Sequence, residues 1–81
     1  MMQDIIVEIE AADKKFGPYT STHEAYGVLA EEAAELLDAI RANKAESVRT
    51  EAIQVAAVAM RLAYSCRGHL NFRRRSGFTW Q

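Results

Sequence analysis

The stretch 22-THEAYGVLAEEAAELLDAIRANKAESVRTEAIQVAAVAMRLAYSCR-67 decides the fold. At about 100° per residue, Ala25, Leu29 and Leu36 fall on one stripe of a helix, and Val55, Val58 and Leu62 on one stripe of another. Asn43 and Lys44 interrupt the pattern as a short turn. The spacing therefore predicts one helix from Ser21 or Thr22 to about Ala42 and a second from about Ala45 to Arg67, antiparallel because the connection is so brief. Ser21 with Glu24 three positions on has the spacing of a capping box. Two carboxylates break the apolar stripes: Glu32 lies between Ala25, Leu29 and Leu36, and Glu51 lies beside Val55, Val58 and Leu62. Isolated buried carboxylates are costly, so acids aimed into a core must be neutralised by a proton, a basic partner or a metal ion.

Upstream, Ile5, Ile9, Ala12 and Phe16 recur at helical spacing and predict a leading helix from about Gln3 to Lys15. Asp4 and Glu8 suit its N-terminal end, and Gly17-Pro18 ends it. No segment alternates like a strand, and no repeat is present. The fold class is all-α, a helical hairpin with a leading helix, over residues 1–67; residues 68–81 have no clear period and read as a basic C-terminal tail. The third helix is apolar on a second side as well, through Ile53, Met60 and Tyr64. A helix apolar all round must be buried all round, and 81 residues is near the size at which one chain struggles to do so. The expectation is a bundle completed by oligomerisation, a homodimer or a dimer of dimers with the third helix central.

The net charge is −1, but it is unevenly spread. All 11 acids lie before residue 52 against five Lys/Arg in residues 1–60, whereas five arginines and no acid follow from Arg61 onward. An acidic body with inward carboxylates favours a cation site and argues against phosphate-backbone binding as the main function, so nucleic acid is not the expected partner. The single cysteine, Cys66, excludes an intrachain disulfide and suits a reducing, cytoplasmic setting. Met1-Met2-Gln3-Asp4 lacks the basic start of a secretory signal, and the apolar run Val55 to Met60 is too short to span a bilayer, so no membrane is expected.

Glu32 and Glu35 are about one turn apart and can converge on one point. Glu35 and Glu51 both lie about seven to nine residues from the Asn43-Lys44 turn, so antiparallel pairing brings them to within roughly a turn of the same level. Oxygen ligands without His or Cys point to a hard cation, Mg²⁺ or Mn²⁺, and such ions commonly bridge carboxylates to phosphates. Glu24, Glu31 and Asp38 read as a solvated flank. Arg61, on the flank of the Glu51 face, is open to two readings: a phosphate ligand, or a structural salt bridge with the inward acids.

The segments Glu31-Glu32-Ala33-Ala34-Glu35-Leu36 and Glu51-Ala52-Ile53-Gln54, with 15 residues between Glu35 and Glu51, resemble the MazG-like all-α nucleoside triphosphate pyrophosphohydrolases. The mark of that superfamily is E-E-x-x-E followed by E-x-x-D on the next helix; the likeness covers about Ile5 to Cys66. The resemblance implies Mg²⁺-dependent cleavage of a nucleoside triphosphate to monophosphate and pyrophosphate, a role in nucleotide-pool cleansing. It implies Glu32, Glu35 and Glu51 as metal-binding acids, with Gln54 at the fourth position where the family has Asp. Glu31 or Glu35 would then orient the attacking water as general base. Lys14, Lys15 and Arg61 are the basic groups for the phosphate chain, although Lys14 and Lys15 equally suit a helix C-terminus.

Other residues point less clearly. His23 and His69 are too few and too far apart for a histidine metal site. Phe16, Tyr19 and Tyr26 can stack on a base, but aromatics in a small helical protein more often fill the core. Arg73-Arg74-Arg75, near Phe72, Phe78 and Trp80, could contact a partner or nucleic acid. With Gln54, that tail supports the competing reading, a catalytically weak or inactive MazG-like binding or oligomerisation module.

Overall fold

The computed structural model describes residues 1–67, which form three helices: α1 (Met2–Phe16), α2 (Thr22–Arg41) and α3 (Ala45–Arg67). Among the described residues there is no strand, so the all-α class holds. The basic tail 68–81, with His69 and the Arg73-Arg74-Arg75 run, lies outside the described residues. No helix among the described residues is long and apolar enough to cross a membrane.

Local chemistry sets the helix ends. Ser21 Oγ accepts a hydrogen bond from the Glu24 N–H at 3.0 Å, the first half of a capping box. The reciprocal half is displaced by one residue: Glu24 Oε1 accepts from Thr20, from its N–H at 2.6 Å and its hydroxyl at 3.2 Å. Gly17 closes α1 with φ 72°, a conformation that suits glycine, and its N–H donates to the Asp13 carbonyl. At the other turn Asn43 takes the left-handed conformation, φ 56°. Its N–H donates to the Ile40 carbonyl and that of Lys44 to the Ala39 carbonyl, the two bonds of a Schellman motif.

α3 packs against both other helices, and α1 and α2 do not pack on each other. Its two apolar sides therefore have separate partners. On one side Ile53 and Ala57 pack with Ile5 of α1, backed by Ile9 and Ala56. On the other, Val58 packs with Tyr19 and Ala25, backed by Val28, Leu29 and Leu62.

Between these clusters lies one buried charge. Arg61 is only 6 % exposed; its Nε donates to Asp13 Oδ1 at 2.8 Å and its Nη2 to the Gly17 carbonyl at 2.7 Å. The guanidinium also stacks over the Tyr19 ring, 4.4 Å from its centroid. One side chain thus ties α3 to the last turn of α1 and to the α1–α2 connector. Burial pushes the Tyr19 phenol up, against the opposing pull of the Arg61 charge.

Much apolar surface stays open. Along α2, Tyr26, Ala30, Ala33, Leu37 and Ile40 form a continuous exposed seam with 4-3-4-3 spacing. On α3, Ala52, Ala59 and Ala63 are exposed on one face, beside Met60 and Tyr64. The third helix is therefore not buried all round within one chain: α1 and α2 cover two of its sides and leave the third.

Replacing Arg61 by alanine removes two hydrogen bonds and the stacking contact from a small core. Asp13 is 60 % exposed and returns to water, which limits the penalty. Urea unfolding of Arg61→Ala should show a loss of about 2–3 kcal/mol. Wild-type stability would remove the clamp from the account of the fold.

Candidate metal centre

The α2 stripe that carries Ala25 and Leu29 into the core also carries Glu32, and Glu35 follows one turn later. Glu51 comes from the first half of α3. Antiparallel packing brings the three together: one carboxylate oxygen from each of Glu32, Glu35 and Glu51 lies within 4.8 Å of the others. Glu32 and Glu51 are half-buried and Glu35 is exposed, so the cluster opens to solvent on the Glu35 side. Oε1 of Glu32 and Oε1 of Glu51 are each buried with no hydrogen-bond partner.

The electrostatics follow from that geometry. Burial raises the Glu32 carboxyl above its ordinary value, and the charges of Glu35, Glu51, Glu31 and Glu8 push the same way. Glu51 is raised by burial, then by the charge of Glu35, then by a hydrogen bond to Glu35 that favours its protonated form. Two orphaned buried oxygens among like charges, all of them hard donors, suit a bound divalent cation.

The remaining expected site residues are distributed unevenly. Glu31 is exposed beside the trio and acts on Glu32 through its charge. Gln54, half-buried and one turn after Glu51, lines a cavity between α3 and α1. Lys14 and Lys15 are exposed in the last turn of α1, where Lys15 Nζ sits 5.1 Å from the Phe16 ring centroid. Arg61 is held by Asp13 and Gly17, and lies ten residues, roughly 15 Å, along α3 from Glu51. Of the two readings of Arg61, the salt bridge is the one present, with Asp13 rather than the inward acids as its partner. The three basic residues are therefore not gathered at the acidic cluster.

The sequence pattern places Glu8 only as a favourable charge at the start of the leading helix and assigns Arg49 no role. Glu8, half-buried on α1, bears on Glu32 and lines the same cavity as Gln54. Its signal was available: it flanks the Ile5, Ile9, Ala12 stripe much as Glu32 interrupts that of α2. Arg49 Nη2 donates to Asp4 Oδ2 at 2.9 Å across α1 and α3, a pairing no spacing within one helix could reveal. Comparison with protein-family models, curated proteins and solved structures finds no match to this chain.

The raised carboxyls have a measurable consequence. Glu32 and Glu51 bind protons more tightly in the folded chain than in the unfolded one. In the metal-free protein their contribution to stability is thus greatest below the ordinary value near 4.5 and is lost as pH rises through the raised values. Calorimetry should show this loss, and Glu32→Gln should recover roughly 0.5–1 kcal/mol at neutral pH, the scale of relieved like-charge pairs. A Glu32→Gln chain less stable than wild type at neutral pH would contradict the crowding of charge.

Proposed function

We propose that this chain is a Mg²⁺-dependent nucleoside triphosphate pyrophosphohydrolase of the MazG-like kind, acting in nucleotide-pool cleansing. The observation that carries the reading is the convergence of Glu32, Glu35 and Glu51 from two helices, at the positions where the motif resemblance puts metal ligands. Their oxygen-only donor set and the orphaned Oε1 atoms of Glu32 and Glu51 favour a hard cation, Mg²⁺ or Mn²⁺. Those three residues would hold it, with Gln54 able to contribute a neutral amide oxygen. When bound, the cation supplies positive charge for the polyphosphate and lowers the pKa of a coordinated water.

The chain itself supplies the proton acceptor and the placement. Glu35, the solvent-facing member, and Glu31 beside it stand where water enters, and either can take the proton of the water that attacks the α-phosphorus. The bond from that phosphorus to the bridging oxygen breaks in line, releasing pyrophosphate and leaving a nucleoside monophosphate. Lys14 and Lys15, at the far end of α1, have a simpler place as favourable charges at a helix C-terminus.

Gln54 supports a second reading, a MazG-like module that binds without cleaving, because one negative charge of the family motif is missing. Incubating the protein with Mg²⁺ and a panel of canonical and modified nucleoside triphosphates separates the two. Pyrophosphate release, reduced at least about 100-fold by Glu35→Gln, is the expected result. No release with any nucleotide, together with no Mg²⁺ effect on thermal stability, would sink the enzyme. Gln54→Asp should tighten Mg²⁺ binding.

The same proposal includes a homodimer or a dimer of dimers. The Tyr26–Ile40 seam and the alanine face of α3 are the surfaces a second copy would cover. Sedimentation at micromolar concentration should give a dimer or larger species, and Leu37→Glu should weaken it. A stable folded monomer would rule this assembly out.

A further inference from the structure

We infer that two copies of this chain pair through α2, antiparallel, with the Tyr26–Ile40 seam of one helix set against the same seam of the other and Ala33 of each copy opposite Leu37 of the second. This pairing rests on the dimer reading, to which it adds a face and a register, and not on the chemistry of the acidic cluster.

The seam has the spacing and composition for self-pairing. Ala30 and Leu37 occupy one of the two core positions of a heptad, and Tyr26, Ala33 and Ile40 the other, over about 21 Å of helix. All five are exposed within one chain, Tyr26 at 68 %, Ile40 at 52 % and Leu37 at 43 % among them. No charge interrupts the run. Glu24, Glu31, Glu35 and Asp38 all lie more than about 100° round the helix from the middle of the seam, so two seams can meet without opposing like charges. Gly27 and Ala34 flank it, both exposed, and nothing lies within 4 Å of where a Cβ on Gly27 would stand. Two such helices can come close.

Side-chain volume sets the register. Reversing one helix sets one kind of heptad position against the other, and two registers then bring four layers into contact. In the first, Ala30 meets Ile40 and Ala33 meets Leu37, each twice by symmetry, so every layer holds one small and one large side chain. In the second, Tyr26 meets Leu37 while Ala30 meets Ala33, which crowds the outer layers and leaves the inner ones void. Close packing favours the first. That register also brings Tyr26 beside the α2–α3 turn of the second copy, where Lys44 is exposed, a suitable contact for an aromatic ring. Seam against seam closes on itself, whereas a seam set on the alanine face of α3 would be a head-to-tail contact that need not close. Glu35 lies almost opposite the seam round α2, so each acidic cluster keeps its solvent-facing side.

Sedimentation of the full chain tests the pairing. Ala33→Leu and Leu37→Ala change side chains that are exposed in one chain, and both residue types favour helix, so circular dichroism should stay as in wild type. Each single variant should weaken the dimer at least about tenfold, because each acts in two layers. The double variant, Ala33→Leu with Leu37→Ala, swaps the members of one layer and should return the dissociation constant to within about threefold of wild type. A dimer indifferent to both single variants would keep the assembly and overturn this face; losses that add in the double variant overturn the register. A wild-type monomer overturns the pairing, and pyrophosphate release by that monomer would keep the hydrolase. A dimer restored in the double variant, without release from wild type, would keep the pairing and lose the hydrolase.

Discussion

The α2–α3 interface has to hold a small chain together while keeping three carboxylates within a few ångströms of one another. Val58, Ala25, Leu29 and Leu62 supply the apolar contact, and Glu32 and Glu51 interrupt that same contact with buried oxygens that nothing satisfies. Like charges in a partly dehydrated place raise each other's pKa, so the metal-free interface is under electrostatic stress near neutral pH. A cation would convert that stress into attraction, and binding would then be linked to folding through the same residues. With so few buried side chains, such a linkage would be a large share of the total stability.

The opposite end of the molecule is held by the reverse arrangement. Arg61 is a lone buried cation whose donors go to a carboxylate and to the carbonyl of the residue ending α1. Because that carbonyl lies at the negative end of the α1 dipole, the contact is favourable even where Asp13 is solvated. α3 thus carries an acidic contact near its start and a basic contact about three turns later, each facing a different element. This explains why α1 and α2 can both be fixed by α3 without packing on each other. It also leaves the third side of α3 and the outer seam of α2 uncovered, a burden that a chain of this length can shed by self-association.

The helices were legible because period and punctuation agree. The 3.6-residue pattern continues through α2 and α3 past the acids Glu32 and Glu51 that break it, and Gly17-Pro18 and Asn43-Lys44 fall where the chain turns. The meeting of Glu32, Glu35 and Glu51 was legible for a related reason: a short turn fixes antiparallel register, and counting back from it sets both levels. What sequence could not give was the lateral placement of α1. Nothing in a single-helix pattern says whether Arg61 reaches α1 or the acids of its own face, and it reaches Asp13. The pairing of Arg49 with Asp4 was missed on the same ground, since it exists only across the α1–α3 contact.

Gln54 looks different once Glu8 is in view. The motif that the sequence resembles has a fourth acid at this position, whereas here the neighbourhood already holds an extra carboxylate from α1 that acts on Glu32. An aspartate at 54 would add one more negative charge to a site whose buried members are already raised, in a chain with little stability to spare. An amide keeps an oxygen available for a cation and adds an N–H donor to the cavity wall, at no further charge. The amide at 54 leaves Asp4 and Glu8, both from α1, as the acids of that cavity.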